Sequence, residues 1–176
     1  MFIDCHLSYP ARLLSRGFTL VELCVVLAVL GILASLAMPA MQQLVRNNQV
    51  STLSNDLLAA LRQARAQALA SGVPVRVVPQ GGDDWQRGWQ VNADGVALLE
   101  YAASGEIRIE PLAGAEGEIR FLPRGTLASG QAGFRVWSPA DPDSGRVIAI
   151  SLSGHAAVTP CAESPAGCPS AEAPHG

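Results

Sequence analysis

Hydrophobic residues are bunched at one end of the chain. From Phe18 to Met41, 19 of 24 residues are apolar, against 67 of the other 152. Inside this stretch, Leu23–Met41 runs 19 residues without a charge. At about 1.5 Å per helical residue that is close to the hydrocarbon thickness of a bilayer. After Ala40 the pattern changes without a break. Leu53, Leu57, Leu61, Ala64 and Ala68 are spaced 4, 4, 3 and 4, which predicts one apolar helix face, with Arg46, Asp56, Arg62 and Arg65 as its polar complement. Gly72 and Pro74 end the helix. A helix from Phe18 to Ser71 would be 54 residues, or about 80 Å long. Its first half reads as a membrane anchor and its second as backing for a domain.

Beyond Gly72 the texture is that of short strands. Candidates are 73–78, 85–91, 96–101, 106–112, 118–122, 133–137 and 146–152, separated by turn signals such as Asp94-Gly95 and the stretch from Pro139 to Gly145. Ile107 and Ile109 alternate with Arg108 and Glu110, as in a half-buried antiparallel strand. Trp85 and Trp89, four apart in a strand-like stretch, share a face and are expected in the core. The fold expected is α+β, a long N-terminal helix packed on an antiparallel sheet.

Length and composition narrow this picture. The 176 residues suit one domain, and 49% apolar with 15% charged residues excludes global disorder. Net charge is 12 − 15 = −3, and every cation is Arg. Such an acidic chain is a poor default partner for phosphate backbones. The four cysteines, at 5, 24, 161 and 168, form no C-x-x-C pair, which excludes zinc ribbons and thioredoxin-like motifs. No Gly-x-Ser-x-Gly, His-Glu-x-x-His or phosphate-binding loop appears, so no enzymatic activity and no cofactor are expected.

Arg12 and Arg16 precede the apolar run, and Arg46 is the first charge after it, which directs the N-terminus to the cytoplasm and the rest outside. Ala34-Ser35-Leu36-Ala37 would suit a conventional signal cleavage, the reading of a secreted globular protein. Gly17-Phe18-Thr19-Leu20-Val21-Glu22-Leu23 points elsewhere, because it carries a carboxylate into the apolar helix one turn in. The stretch resembles the type III signal of type IV pilins and type II secretion pseudopilins. The resemblance implies that a membrane prepilin peptidase cuts between Gly17 and Phe18 and that Phe18 is N-methylated. It further implies that Glu22 neutralises a neighbouring subunit's amine during assembly, and that Pro39 kinks the helix. Asn47-Asn48-Gln49-Val50, the run Leu61-Arg62-Gln63-Ala64-Arg65, and Asp84-Trp85-Gln86-Arg87-Gly88-Trp89 resemble the GspH/FimT group of minor pilins and pseudopilins.

The resemblance implies a type IV pilin-like fold with a transmembrane first half of the helix. It divides the chain into a leader (1–17), a transmembrane and assembly helix (18–38), an amphipathic continuation (39–71), a periplasmic antiparallel β domain (72–159) and a Pro- and Cys-containing tail (160–176). The implied function is that of a subunit priming or capping a type IV pilus or type II secretion pseudopilus. Its partners would be other pilins through the N-terminal helix, the prepilin peptidase, the inner membrane and the assembly platform.

DNA uptake in natural transformation is the alternative. Some FimT-type members carry Gly-Arg-x-Arg near the C-terminus, but here the stretch is Ser153-Gly154-His155-Ala156-Ala157, and a largely neutral His cannot replace a guanidinium. From Gly72 onward 7 Arg face 12 acids, which also disfavours DNA. Arg120, Arg124, Arg135 and Arg146 would form a DNA-binding patch only if the fold gathered them. Cys161 and Cys168, in a Pro-rich tail in an oxidising compartment, read as a disulfide closing an eight-residue loop. His155 and His175 flank them at irregular spacing, and no metal site is expected. Asp141-Pro142-Asp143-Ser144-Gly145 echoes the start of a calcium loop but reads as turn chemistry.

Overall fold

The computed structural model describes residues 19–82, 84–103 and 107–168, with the side chains of 36, 37, 39 and 40 left out. Helix α1 spans Leu20–Ser71, 52 residues. It ends where the pattern predicts, and the Gly72 N–H closes the last turn on the Ala68 carbonyl at 3.1 Å. The chain divides into two compact units, Met1–Ala40 and Met41–Gly176.

In the first unit the described helix presents Leu20, Val21, Leu23, Val25–Leu27, Val29, Leu30, Ile32 and Leu33 as exposed side chains. Among the described residues no helix is long and apolar enough to cross a membrane. The expected span over 18–38 lies partly outside the described residues.

The second unit is built on the other part of α1. Leu57, Leu61, Ala64 and Ala68 are fully buried, joined by Val50 and Ala60, and Leu53 is partly buried. Each such Leu contributes about 1.5–3 kcal/mol. Eight strands follow: β1 Val75–Pro79, β2 Gly88–Ala93, β3 Val96–Ala102, β4 Arg108–Pro111, β5 Ile119–Phe121, β6 Ala132–Ser138, β7 Asp141–Ile150 and β8 Ala156–Pro160. They form two four-stranded antiparallel sheets, β3-β2-β1-β5 and β4-β6-β7-β8. The expected antiparallel layer is therefore divided. The β2–β3 hairpin turns on Asp94 (φ 49°) and Gly95 (φ 81°), whose left-handed backbone matches the strand twist. One core joins the helix to both sheets through Val75, Val77, Trp89, Val91, Ile119, Phe121, Phe134, Val136 and Ile148.

The structure corrects three strand expectations. Trp85–Arg87 is a single 3-10 turn, capped by the Asp84 carboxylate on the Gln86 N–H at 2.9 Å, and only Trp89 lies in a strand. Both indoles are nonetheless buried. Trp85 meets Phe134 edge-on at 4.6 Å and Trp89 stacks on Tyr101 at 4.4 Å. The expected turn from Asp141 to Gly145 is the first half of β7. Gly145 is buried there with the Cys161 sulfur close beside it, so a tertiary contact overrides local turn chemistry. Strand β8 was not expected, because Ala156-Ala157-Val158-Thr159-Pro160 carries a weak apolar signal.

Candidate functional site

The start of α1 is built by a cap. The Thr19 Oγ1 accepts the Glu22 backbone N–H at 3.2 Å, and the Thr19 carbonyl accepts the Leu23 N–H at 3.1 Å. This is the Thr-x-x-Glu spacing of a capping box, a signal carried by the sequence itself in Thr19-Leu20-Val21-Glu22. Glu22 is the third helical residue, where unpaired backbone N–H groups favour an anion. Its carboxylate is exposed amid apolar side chains and makes no ion pair among the described residues. It is free to take a cation from elsewhere. Gly17 and Phe18 lie outside the described residues. The helix assignment continues through Pro39, whose side chain also lies outside them.

The four arginines of the alternative reading do not gather. Arg120 sits on β5 and gives a 2.7 Å ion pair to Glu118, which also meets Arg76 at 3.8 Å. Arg124, in the loop after β5, donates to the Thr126 hydroxyl at 3.3 Å. Arg135 on β6 lies opposite Val147 and Arg146 on β7 lies opposite Val136. Directly opposed residues share a face, so these two guanidinium groups leave opposite sides of their sheet.

Arg135 has another employment. Its side chain is only 14% exposed, pairs with Glu110 at 2.9 Å, and donates to the carbonyls of Gly167 (3.1 Å) and Ala166 (2.6 Å). Those carbonyls lie within the loop closed by the Cys161–Cys168 disulfide, which is formed. On its other side the loop sets Cys161 Sγ 3.5 Å and Cys168 Sγ 3.6 Å from the Asp143 carbonyl oxygen. Val147 and Cys161 are buried apart from the main core. The loop is thus fastened by β6 and β7 together.

Cys24 is a free, exposed thiol. His155 is exposed at the end of the β7–β8 hairpin, and His175 lies outside the described residues. Among the described residues no group of three or more His, Cys, Asp or Glu side chains is placed to hold a metal. Gly154 of the hairpin adopts φ 76°, and a Cβ there would collide with the Gly125 carbonyl, so backbone geometry alone accounts for this glycine. Tyr101 donates to the Asp56 carboxylate at 2.9 Å. Burial first, then that hydrogen bond and the negative charge of Asp56, push its hydroxyl above the usual value near 10.

Two family models match the chain. The prokaryotic N-terminal methylation motif covers residues 12–38, which include Gly17, Phe18 and Glu22. The model described as type II transport protein GspH covers residues 53–154. Among curated proteins, the chain is 38% identical over 60 residues to a type IV major alpha-pilin of Moraxella bovis, covering 34% of this chain and 38% of that protein. It is 35% identical over 86 residues to a fimbrial protein of Moraxella nonliquefaciens, covering 48% of this chain and 47% of that one. The matches thus span less than half the length of these relatives. The crystal structure of the type IV minor pilin FimU of Pseudomonas aeruginosa superposes with a TM-score of 0.58 at 21% identity, covering 70% of this chain and 94% of that chain. At that identity the likeness establishes the fold, which is type IV pilin-like. The methylation motif implies processing by a prepilin peptidase and a membrane-anchored pilus subunit. With residues 53–154, more than half of the 176, inside one family model, the chain belongs to the GspH family of type II transport proteins.

Proposed function

We propose that this chain is a minor pilin or pseudopilin, a structural subunit that primes or caps a type IV pilus or a type II secretion pseudopilus. The carrying observation is Glu22, an exposed carboxylate in the capped first turn of a helix otherwise apolar there. Prepilin peptidase cuts between Gly17 and Phe18, leaving 176 − 17 = 159 residues, and Phe18 is methylated. The new amine of a neighbouring subunit needs a counter-charge in an apolar bundle, where an unpaired ion is costly. Glu22 supplies it. Residues 18–38 anchor the chain in the inner membrane and afterwards pack against other pilins, with Pro39 bending the helix. The domain from 72 onward lies in the periplasm, and its disulfide suits that compartment.

Mass spectrometry of the processed chain is the test. A methylated Phe18 at the N-terminus is expected, and an N-terminus at residue 38 would overturn the reading in favour of a conventional signal peptide. In the same cells, Glu22→Ala is expected to be cut normally but to be lost from sheared fibres.

A further inference from the structure

The two sulfurs of the Cys161–Cys168 bridge are not equivalent. Cys161 is fully buried, whereas Cys168 is half-buried. The Cys161 sulfur fits a slot that β7 leaves open at Gly145. A Cβ at that glycine would stand 3.4 Å from the sulfur and 3.1 Å from both the Trp137 Cβ and the Pro142 carbonyl oxygen. The Asp143 carbonyl oxygen lies 3.5 Å from the Cys161 Sγ and 3.6 Å from the Cys168 Sγ. One backbone oxygen of the sheet is thus beside both sulfurs, while a reagent in solution meets only one of them.

The loop between the two cysteines is shaped by contacts that do not need the bond. The Ser164 N–H donates to the Cys161 carbonyl at 3.1 Å, and the Gly167 N–H donates to the Ser164 carbonyl at 2.9 Å. Ser164-Pro165-Ala166-Gly167 has Pro second and Gly fourth, the composition of a tight turn. Gly167 takes φ 65°, a conformation that side chains with a Cβ resist. Arg135 then holds the Ala166 and Gly167 carbonyls, and Glu110, directly opposite it on β4, fixes the guanidinium. These contacts bring Cys168 to Cys161 from the side of the sheet. A loop already held this way loses little further entropy when its ends are joined.

We propose that Cys168 is the entry sulfur for thiol–disulfide exchange on this chain, with Cys161 the resolving thiol and Arg135 a positioning residue. The co-reactant is a disulfide oxidant from outside the chain. In the reduced chain the Cys168 thiolate attacks one sulfur of that oxidant, whose disulfide breaks and releases its other half as a thiolate. Cys161 then gives its proton to water and attacks the Cys168 sulfur, and the electron pair of the mixed bond leaves with the second thiolate. Two thiols of the chain are oxidised, and one disulfide of the oxidant is reduced to two thiols. Reduction runs the same path backwards, and an external thiol again reaches only Cys168. Access sets this order, because a covered thiol is inert toward reagents in solution. The coupling between Arg135 and the bond is reciprocal: the bond places two carbonyls for the guanidinium, and the guanidinium places Cys168 for the bond. The inference goes beyond the assembly reading and does not depend on it.

The test uses the full chain in detergent with Cys5→Ser and Cys24→Ala, which leave only the pair. The reduced protein is given glutathione disulfide, quenched with acid at intervals, and mapped by peptide mass spectrometry. Glutathione is expected on Cys168 and not on Cys161. With single thiols, Cys161→Ser is expected to take up glutathione about tenfold faster or more than Cys168→Ser in native buffer. The two rates are expected to converge in roughly 8 M urea, where burial is lost. A first adduct on Cys161, or equal rates in native buffer, overturns the inference. So does a difference that persists in urea, which would come from neighbouring sequence rather than burial. Arg135→Ala is expected to leave the entry rate within about twofold while slowing closure by about fivefold or more. Arg135→Lys keeps the charge but loses the planar fork that spans two carbonyls, and is expected to slow closure as well. Closure at the unaltered rate in both variants overturns the role given to Arg135. None of these outcomes bears on whether Phe18 is the methylated N-terminus.

Discussion

The two halves of α1 are both rich in Leu, Val and Ala, yet they differ in what covers them. Ten large apolar side chains between Leu20 and Leu33 are exposed, whereas Val50, Leu57, Leu58 and Leu61 are buried along with three alanines by the strands that follow. The later half finds its complement inside its own chain. The earlier half does not, and an exposed apolar surface of that extent belongs to an interface. On the reading proposed here, lipid covers it first and neighbouring subunits afterwards. Apolar composition alone does not distinguish the two conditions. The interleaving of Asp56, Arg62 and Arg65 on one side only of the later half does.

The sharpest way to break this contrast is a matched pair of truncations. Leu61→Ala is expected to cost about 2–5 kcal/mol in urea denaturation of the full chain, because it empties a packed site. Leu27→Ala is expected to leave the same transition unchanged to within about 0.5 kcal/mol. Equal losses would erase the distinction. A smaller effect tests how the globular unit holds its C-terminal loop. Cys161→Ser with Cys168→Ser is expected to cost about 2–3 kcal/mol, and a reductant should lower the wild-type unfolding free energy by the same amount. Arg135→Ala should then cost less in the reduced protein than in the oxidised one, since its carbonyl partners are no longer pre-placed.

The smallest expected effect is at Tyr101, about 1 kcal/mol for Tyr101→Phe. It carries a pH signature. A hydroxyl whose value is raised by folding holds its proton more tightly in the native state. Its contribution is therefore whole below the unfolded value near 10 and is lost as pH climbs beyond it. Tyr101→Phe should flatten the alkaline fall in stability, and an unaltered slope would discount the Asp56 hydrogen bond.

What the sequence disclosed follows the range of the signal. Helix α1, its end at Ser71 and its buried stripe are written in spacings of three and four residues, which are local. The Asp94-Gly95 hairpin is equally local. The division into two sheets was hidden because pairings such as β1 with β5 join segments some forty residues apart. The first half of β7 was hidden because Pro-Asp-Ser-Gly reads as a turn until the Cys161 sulfur is placed beside it. Arg135 could not have been singled out from the other arginines, because its partners include two backbone carbonyls, which any residue possesses. At Glu22 the signal is local again, since Thr19 stands three residues before it in the spacing of a capping box.

That cap has a consequence for maturation. Thr19 lies on the mature side of the proposed cut, two residues after Gly17, and its hydroxyl and carbonyl together receive the first-turn N–H groups of Glu22 and Leu23. Starting a helix is the costly step, and lengthening it is cheap. On the proposed cut, removal of the leader would leave both Thr19 and the turn it caps in the mature chain, with nothing of the nucleus of α1 lost.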